Sequence, residues 1–128
     1  MREILFRGKR AGNGGWVEGS LAYSDNIEPA IYFEVGKGSV KTFDFVYVIP
    51  ETVGQYTGIK DKNGKKIFEG DIVHIDNYDE GWDSVVGFNG GAFAVDVEGR
   101  DYDYTAIGWT EYQSIIIGNI HDNPELLP

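Results

Sequence analysis

The 128-residue sequence contains no cysteine, and this absence excludes disulfide frameworks, cysteine-based zinc sites, iron–sulfur clusters and thiol nucleophiles. It also has no apolar run approaching the ~20 residues of a membrane-spanning helix, and no apolar N-terminal stretch typical of a signal peptide. We therefore expect a cytoplasmic protein with no cofactor and no membrane partner.

Segments long enough for an ordinary helix are missing as well. Because 18 glycines and 4 prolines interrupt the chain, the longest stretch without either, 39–49, spans only eleven residues. An average helix has about 11–12 residues and seldom tolerates an interior glycine. Within this stretch Phe43, Phe45 and Tyr47 alternate with Thr42, Asp44, Val46 and Val48, a pattern typical of a strand. The sequence therefore predicts a mainly β protein with minimal helix.

Further strands and turns follow from the same kinds of pattern. Alternating residues predict strands at 72–76, 92–98 and 101–106. Short strands with turn signals between them are typical of a barrel or sandwich. Asparagine and glycine tolerate the positive φ angles of tight turns, which we expect at Asn13-Gly14, Asn63-Gly64 and Asn89-Gly90. The one helical turn that we expect begins at Pro124.

The length of the chain fits one domain over residues 1–128. A structural seam is predicted at 49–58, where proline and glycine interrupt the strand pattern. We expect an N-terminal β subregion over about 1–58 and a C-terminal acidic β-barrel subregion over about 59–128. The second subregion has the turn and strand pattern of an SH3-like barrel, which predicts its fold but not its function.

Basic residues are concentrated in the first half of the chain. Residues 1–66 carry ten Lys/Arg and eight Asp/Glu, whereas residues 67–128 carry one base, Arg100, and thirteen acids. The net charge of −10 therefore comes from the C-terminal half. An acidic surface of this kind keeps a protein soluble, and it also provides an electrostatic footprint for a basic partner or an imitation of nucleic acid.

Three segments of the chain, 2–8, 48–73 and 117–127, contain recognisable motifs, and the most specific is 48–73, which includes Asp61-Lys62-Asn63-Gly64-Lys65 and Phe68-Glu69-Gly70-Asp71. These segments resemble the YopX family of small bacteriophage and prophage proteins. The resemblance implies a mainly β, barrel-like fold, a phage or prophage origin and a cytoplasmic location in an infected cell. It implies no activity, cofactor or catalytic residue.

The central motif also has a structural interpretation. The segment 61–65 has the composition of a tight turn, after which Ile67 and Phe68 are expected to enter the core. Gly70 is expected to adopt a backbone conformation that other residues avoid. Three residues, Gln55, Tyr56 and Thr57, are left unexplained by these roles. They form either an exposed contact point or a polar crossover between the two halves.

Residues with catalytic or metal-binding chemistry are sparse and scattered. His74 and His121 stand alone in the sequence, and each needs a distant acid to form a catalytic dyad or a zinc site. The acidic segment 76–81 lacks the ligand spacing of an EF-hand, and the sequence contains no Gly-x-Ser-x-Gly motif. We therefore predict no catalytic, cofactor-binding or metal-binding residues.

These observations favour a non-enzymatic accessory protein that acts by binding. A second copy is the first expected partner, and a host or phage protein is the next. The predicted interaction surface comprises Gln55, Tyr56, Thr57, Tyr78, Trp82 and Trp109. The exposed-looking aromatic residues Tyr78, Trp82, Trp109 and Tyr112 favour self-association.

Three alternatives remain open. In the first alternative, the acidic half imitates nucleic acid and inhibits a host DNA-binding protein. In the second, the basic N-terminal half binds nucleic acid. In the third, the acidic half is a hydrolase or a metal-dependent enzyme. The net negative charge disfavours direct binding of nucleic acid, because it repels the phosphate backbone at long range.

Overall fold

The computed structural model describes residues 3–24, 27–36, 38–76, 81–89, 92–97, 100–106 and 113–127. These residues form twelve β-strands and two three-residue 3-10 turns, Pro50–Thr52 and Pro124–Leu126, and no α-helix lies among them. The chain divides into two compact units, Met1–Tyr56 and Thr57–Pro128, at a boundary inside the predicted seam. The prediction of a mainly β protein with minimal helix is confirmed. No helix in the described part of the chain has the length and apolar character needed to cross a membrane.

The first unit is an antiparallel sheet. Its strands are β1 Phe6–Lys9, β2 Trp16–Ser24, β3 Ile27–Val35, β4 Thr42–Tyr47 and β5 Gly54–Lys60, the last of which continues into the second unit. They lie in the order β4-β3-β2-β1, and the beginning of β5 follows β1.

Alternate side chains of this sheet lie on two faces, because successive residues of a strand point to opposite sides. One face is buried around Val17, Ile31 and Val48, and partly buried apolar side chains surround these three residues. We call the opposite face the outer face. It carries the other set of residues on each strand, including Phe43, Phe45 and Tyr47 of β4, whereas Val46 of β4 packs against the core.

The second unit contains two three-stranded antiparallel sheets, ordered β12-β7-β8 and β11-β10-β9. Its strands are β6 Lys66–Phe68, β7 Asp71–Asp76, β8 Trp82–Val85, β9 Gly87–Asn89, β10 Ala92–Val97, β11 Arg100–Ala106 and β12 Gln113–Asn119. The predicted strands near 72–76, 92–98 and 101–106 correspond to β7, β10 and β11. Ile67, Val73, Ile75, Val86 and Val95 form the core of this unit.

The turn predictions agree with the described backbone. Gly14 and Gly64 have φ angles of 74° and 83°, as tight turns at Asn-Gly pairs require. The prediction for the third pair, Asn89-Gly90, is not tested, because Gly90 lies outside the described residues. The C-terminal turn begins at Pro124 as expected, although the Asn123 side chain does not cap it. The Asn123 side chain instead accepts a hydrogen bond from the backbone N–H of Asn119 at 3.2 Å.

The central motif is a structural element of the second unit. Asp61 is buried at 7% exposure, and its Oδ1 accepts hydrogen bonds from the N–H groups of Asn63 and Lys65, each at 2.9 Å. Its Oδ2 accepts the N–H of Ile116 on β12 at 3.0 Å. The carboxylate thus closes the turn and fixes it to a strand that is distant in sequence.

The residues after this turn take the positions that the motif predicts. Ile67 and Phe68 are buried, and Gly70 has a φ angle of 89°. The buried carboxylate of Asp71 accepts the N–H of Phe68 at 2.8 Å. The motif therefore combines a hairpin, two core residues and a second tight turn.

The Thr57 side chain of β5 bonds to the backbone of β6, and its replacement gives the first testable prediction. Its Oγ1 donates to the carbonyl of Ile67 at 2.8 Å and accepts the N–H of Ile59 at 3.1 Å. The Thr57→Val variant keeps the shape but leaves both backbone groups without this partner, so we expect the free energy of unfolding to fall by about 1–3 kcal/mol. Urea unfolding measures this change. The exposed Thr42→Val variant is the control, and equal stabilities of the two variants would contradict the prediction.

Candidate interaction surface

The outer face of the first unit carries a cluster of exposed aromatic side chains. The register places Phe45 opposite Tyr32, and Tyr47 opposite Ala30, on neighbouring strands. Phe43 and Tyr23 are 72% and 71% exposed, and the remaining three aromatic rings are between 40% and 46% exposed. We call the five residues Tyr23, Tyr32, Phe43, Phe45 and Tyr47 the aromatic cluster. Large apolar groups in such number on one face mark a binding surface more often than a bare solvent face.

Contacts between the rings hold this cluster in a defined arrangement. The rings of Tyr32 and Phe45 are stacked, with centroids 5.1 Å apart and an interplanar angle of 27°. The rings of Phe45 and Tyr47 meet edge to face, with centroids 5.7 Å apart and an angle of 85°. Both arrangements are favourable for aromatic pairs. The ring planes of Phe45 and Tyr47, two positions apart on β4, are therefore almost perpendicular.

A groove of about 220 Å³ lies between these rings. Its lining consists of small residues, four aromatic rings and one carboxylate, namely Ala22, Ala30, Tyr23, Tyr32, Phe45, Tyr47 and Glu28. Ala22 and Ala30 face each other across β2 and β3, and Ala30 is buried. The small side chains on these two strands leave the space that the larger rings surround.

Strand β4 lies at the end of the first-unit sheet, so part of its backbone faces away from β3. The N–H of Val48 donates to the carbonyl of Pro29, so the backbone of Val48 points towards β3. Along an antiparallel strand, the backbone groups of successive residues point alternately towards the neighbouring strand and away from it. The N–H and C=O groups of Phe43, Phe45 and Tyr47 consequently point outward. The carbonyl of Tyr47 accepts the N–H of Ala11, and the N–H of Phe45 donates to the Asp44 carboxylate at 2.8 Å.

Basic side chains lie on aromatic rings elsewhere in this unit. The guanidinium of Arg7 is 4.6 Å from the ring centroid of Trp16, and the ammonium of Lys9 is 5.8 Å from it. Arg10 lies 5.7 Å from the ring of Phe33. Cation–π contacts of this length are favourable, so the three cations are already engaged with the protein's own rings.

The predicted interaction residues lie in several places. Tyr56 and Thr57 are each only 6% exposed, so they offer a partner very little surface, and Gln55 is half-buried. Trp82 is half-buried and packs against the core of the second unit. Tyr78, Trp109 and Tyr112 lie outside the described residues. The assignment of these residues to an interaction surface stays a prediction.

The aromatic cluster is not predicted by the sequence pattern. Alternation identifies Phe43, Phe45 and Tyr47 as one set on a strand. Because the other set also contains apolar residues, Val46 and Val48, alternation does not indicate which set is covered. Tyr23 and Tyr32 lie in a part of the chain without a recognisable motif. The one available signal was the concentration of aromatic residues on a single set of alternate positions.

His74 is brought close to two carboxylates. Its Nδ1 is 2.7 Å from Asp83 Oδ1, and its Nε2 is 3.4 Å from Asp76 Oδ1. About a third of the His74 side chain and almost half of each carboxylate are exposed. Among the described residues, no group of three or more side chains is arranged to hold a metal ion. His121 lies elsewhere, near Gly70.

The fold and its exposed groove define a small antiparallel β protein with an open, aromatic outer face. The YopX protein family model matches residues 5–128, and the chain belongs to this family. The predicted resemblance is therefore confirmed.

Two relatives extend this result. The chain is 46% identical over 69 residues to the SPbeta prophage-derived uncharacterized protein YopX of Bacillus subtilis (strain 168). The match covers 50% of this chain and 52% of that protein, about half the length of this curated relative. The crystal structure of protein EF1440 from Enterococcus faecalis is similar over the full length of both chains, with 25% identity and a TM-score of 0.65.

Proposed function

We propose that this protein is a phage or prophage accessory protein that acts in the host cytoplasm by binding, without catalysing a reaction. The aromatic cluster carries this proposal, because it presents large rings to solvent in a fixed arrangement. The prophage origin of the Bacillus subtilis relative supports the biological setting. Carboxylate oxygens of Asp83 and Asp76 lie 2.7 Å and 3.4 Å from the two ring nitrogens of His74, which supports a structural role for this histidine.

The first partner is a second copy of the chain, bound through the edge of β4. An antiparallel strand can pair with its own copy about a twofold axis, since the two edges are then identical. The backbone of Phe43 faces outward, and no described residue bonds to it. The Asp44 carboxylate occupies the N–H of Phe45 and has to release it before the strands pair. Charged residues on edge strands commonly limit pairing in this way.

Light scattering over a range of concentrations tests self-association. We expect the mass of the wild type to rise from that of the 14.2 kDa chain towards twice this value. Asp44→Ala removes the acceptor from the edge and is expected to shift the transition to lower concentration. Phe43→Lys places a charge on the edge and is expected to keep the protein monomeric.

Phe88→Lys is the matched control, because Phe88 is an exposed phenylalanine, at 61%, in the second unit. It should associate like the wild type. Monomers at every concentration for both the wild type and Asp44→Ala would disprove the self-association proposal.

A second candidate function is the occupation of a basic, nucleic-acid-binding host protein by the acidic unit. The second unit carries fourteen Asp/Glu and five Lys/Arg, which favours a basic partner. The first unit carries six bases and seven acids, so it lacks the net positive charge that supports direct binding of nucleic acid.

A further inference from the structure

We infer that the groove of the aromatic cluster binds the side chain of a lysine or arginine presented by a basic segment of a partner protein. This inference rests on the proposed function, because it specifies the chemistry that the outer face recognises. It concerns the groove itself and not the backbone edge of β4.

The aromatic lining of the groove favours a cation as the ligand. A cation is attracted to the face of an aromatic ring, and four aromatic rings line the groove. Phe45 and Tyr47 meet at 85°, while Tyr32 stacks on Phe45 at 27°. Tyr23, 71% exposed, lines the same groove. Aromatic rings arranged around a small space are the usual recognition site for alkylammonium groups.

The charge of the groove supports the same ligand. Glu28 is exposed and provides the one carboxylate in the lining. Within the described residues, neither Lys nor Arg forms an ion pair with Glu28 or lies over a groove ring. By contrast, the carboxylate of Glu34 on the same strand is paired with Lys41 at 3.1 Å. A carboxylate beside aromatic faces is complementary to an incoming cation.

The protein already uses this interaction internally. Arg7 lies 4.6 Å above the ring of Trp16, and Arg10 lies 5.7 Å from that of Phe33. In both places the ring belongs to the first-unit sheet and the cation to β1 or to the residue after it. The groove has the same ring chemistry, so a cation from outside completes an equivalent contact.

The size of the groove indicates a single side chain from a macromolecule. Its volume of about 220 Å³ is below the ~300–1,000 Å³ of pockets that enclose a small-molecule ligand. A groove open on a sheet face buries such a ligand poorly, but it accepts the end of a long side chain from a neighbouring surface. The net charge of −10 also attracts a basic segment at long range.

The probes for the test are two synthetic hexapeptides, hexa-arginine and hexa-glutamine, titrated into the full-length protein and followed by the NMR signals of the tyrosine and phenylalanine rings. We expect hexa-arginine to shift the ring signals of Tyr32, Phe45 and Tyr47, and hexa-glutamine to leave them unchanged. Glu28→Gln and Tyr47→Leu are each expected to weaken hexa-arginine binding about fivefold or more.

Glu34→Gln is the matched control, since it removes an exposed carboxylate of the same strand outside the groove lining. It should bind hexa-arginine within about twofold of the wild type. Equal weakening by Glu28→Gln and Glu34→Gln would assign the binding to general negative charge and overturn the inference. Equal ring shifts with hexa-glutamine would overturn it as well.

Measurements without peptide separate this inference from the proposed function. If Tyr47→Leu abolishes peptide binding but still self-associates, the groove inference is supported independently of the β4 edge. If wild-type ring signals of the groove shift on self-association alone and hexa-arginine then produces no further shift, a second copy occupies the groove and the inference of a basic partner protein fails. If no self-association occurs but hexa-arginine binds in the groove, only the self-association proposal fails.

Discussion

Replacing Asp61 by alanine is expected to lower the free energy of unfolding by about 3–5 kcal/mol. The carboxylate accepts three backbone N–H groups, two within its own turn and one from Ile116. Alanine leaves these donors without their acceptor, and each buried donor left unsatisfied costs about 1–3 kcal/mol. The donors of Asn63 and Lys65 lie in an exposed turn and regain water, so the total is less than three full penalties.

If charge alone mattered, this substitution would raise the free energy of unfolding instead of lowering it. The second unit carries a large excess of acids, so the loss of one acid reduces repulsion. A destabilised Asp61→Ala variant therefore reports the hydrogen bonds. Asp61→Asn is expected to be intermediate, since its amide oxygen keeps two bonds while its NH₂ group faces the N–H of Ile116.

The stability that Asp61 contributes also depends on pH. Burial acts to raise the pKa of Asp61, but the N–H groups of Ile116, Lys65 and Asn63, together with the charge of Lys65, bring it below the ordinary value of 3.8. Because the folded pKa is lowered, the contribution is fully present above the unfolded pKa and is lost as the pH falls through the folded pKa. The difference in stability between the wild type and Asp61→Asn should therefore shrink below about pH 4.

Urea unfolding of the wild type and variants at several pH values between 7 and 3 measures both effects. Glu125→Ala is the control, because Glu125 is an exposed carboxylate of the same unit and its loss should cost at most about 1 kcal/mol. Two results would contradict the assigned role of Asp61: an Asp61→Ala variant as stable as Glu125→Ala, or a difference between the wild type and Asp61→Asn that stays constant with pH.

The sequence predicted features whose physical cause is local. The Asn63-Gly64 turn, the burial of Ile67 and the positive φ of Gly70 each depend on residues within a few positions, and all three predictions are confirmed. The bond from Ile116 to Asp61 joins residues 55 positions apart, and no local pattern encodes it. Similarly, the exposure of Phe43 depends on the absence of covering side chains over its face, which alternation along one strand does not determine.

The same distinction applies to the candidate site. The interaction residues predicted from the sequence lie within the seam or are aromatic residues of the acidic half, because these residues lacked a structural explanation. Tyr56 instead is buried, where its ring contributes to packing. The groove arises from the register of β2, β3 and β4, which brings together small residues such as Ala22 and Ala30 with rings from three strands. These residues cannot be grouped from the sequence alone, because the order and register of the strands are needed to bring them together.

Replacing Gly19 by alanine is the change expected to disrupt the sheet that carries the groove. Gly19 lies within β2, opposite Phe6 of β1. A Cβ atom built at this position would overlap the carbonyl oxygen of Tyr32 on β3 and would lie 3.0 Å from the Ile31 side chain. A backbone carbonyl cannot rotate away as a side chain does, so β2 and β3 have to separate. We expect a loss of about 3 kcal/mol or more.

Gly12→Ala is the matched control in the same unit, because a Cβ at this position meets nothing within 4 Å. It is expected to change the free energy of unfolding by at most about 1 kcal/mol, in the stabilising direction if the backbone accepts alanine. Urea unfolding compares the two variants. Because β2 and β3 supply Ala22 and Tyr32 to the groove, Gly19→Ala should also shift the ring signals of Tyr32 and Phe45. A Gly19→Ala variant as stable as Gly12→Ala, with unchanged ring signals, would show that β2 and β3 do not approach as closely as described.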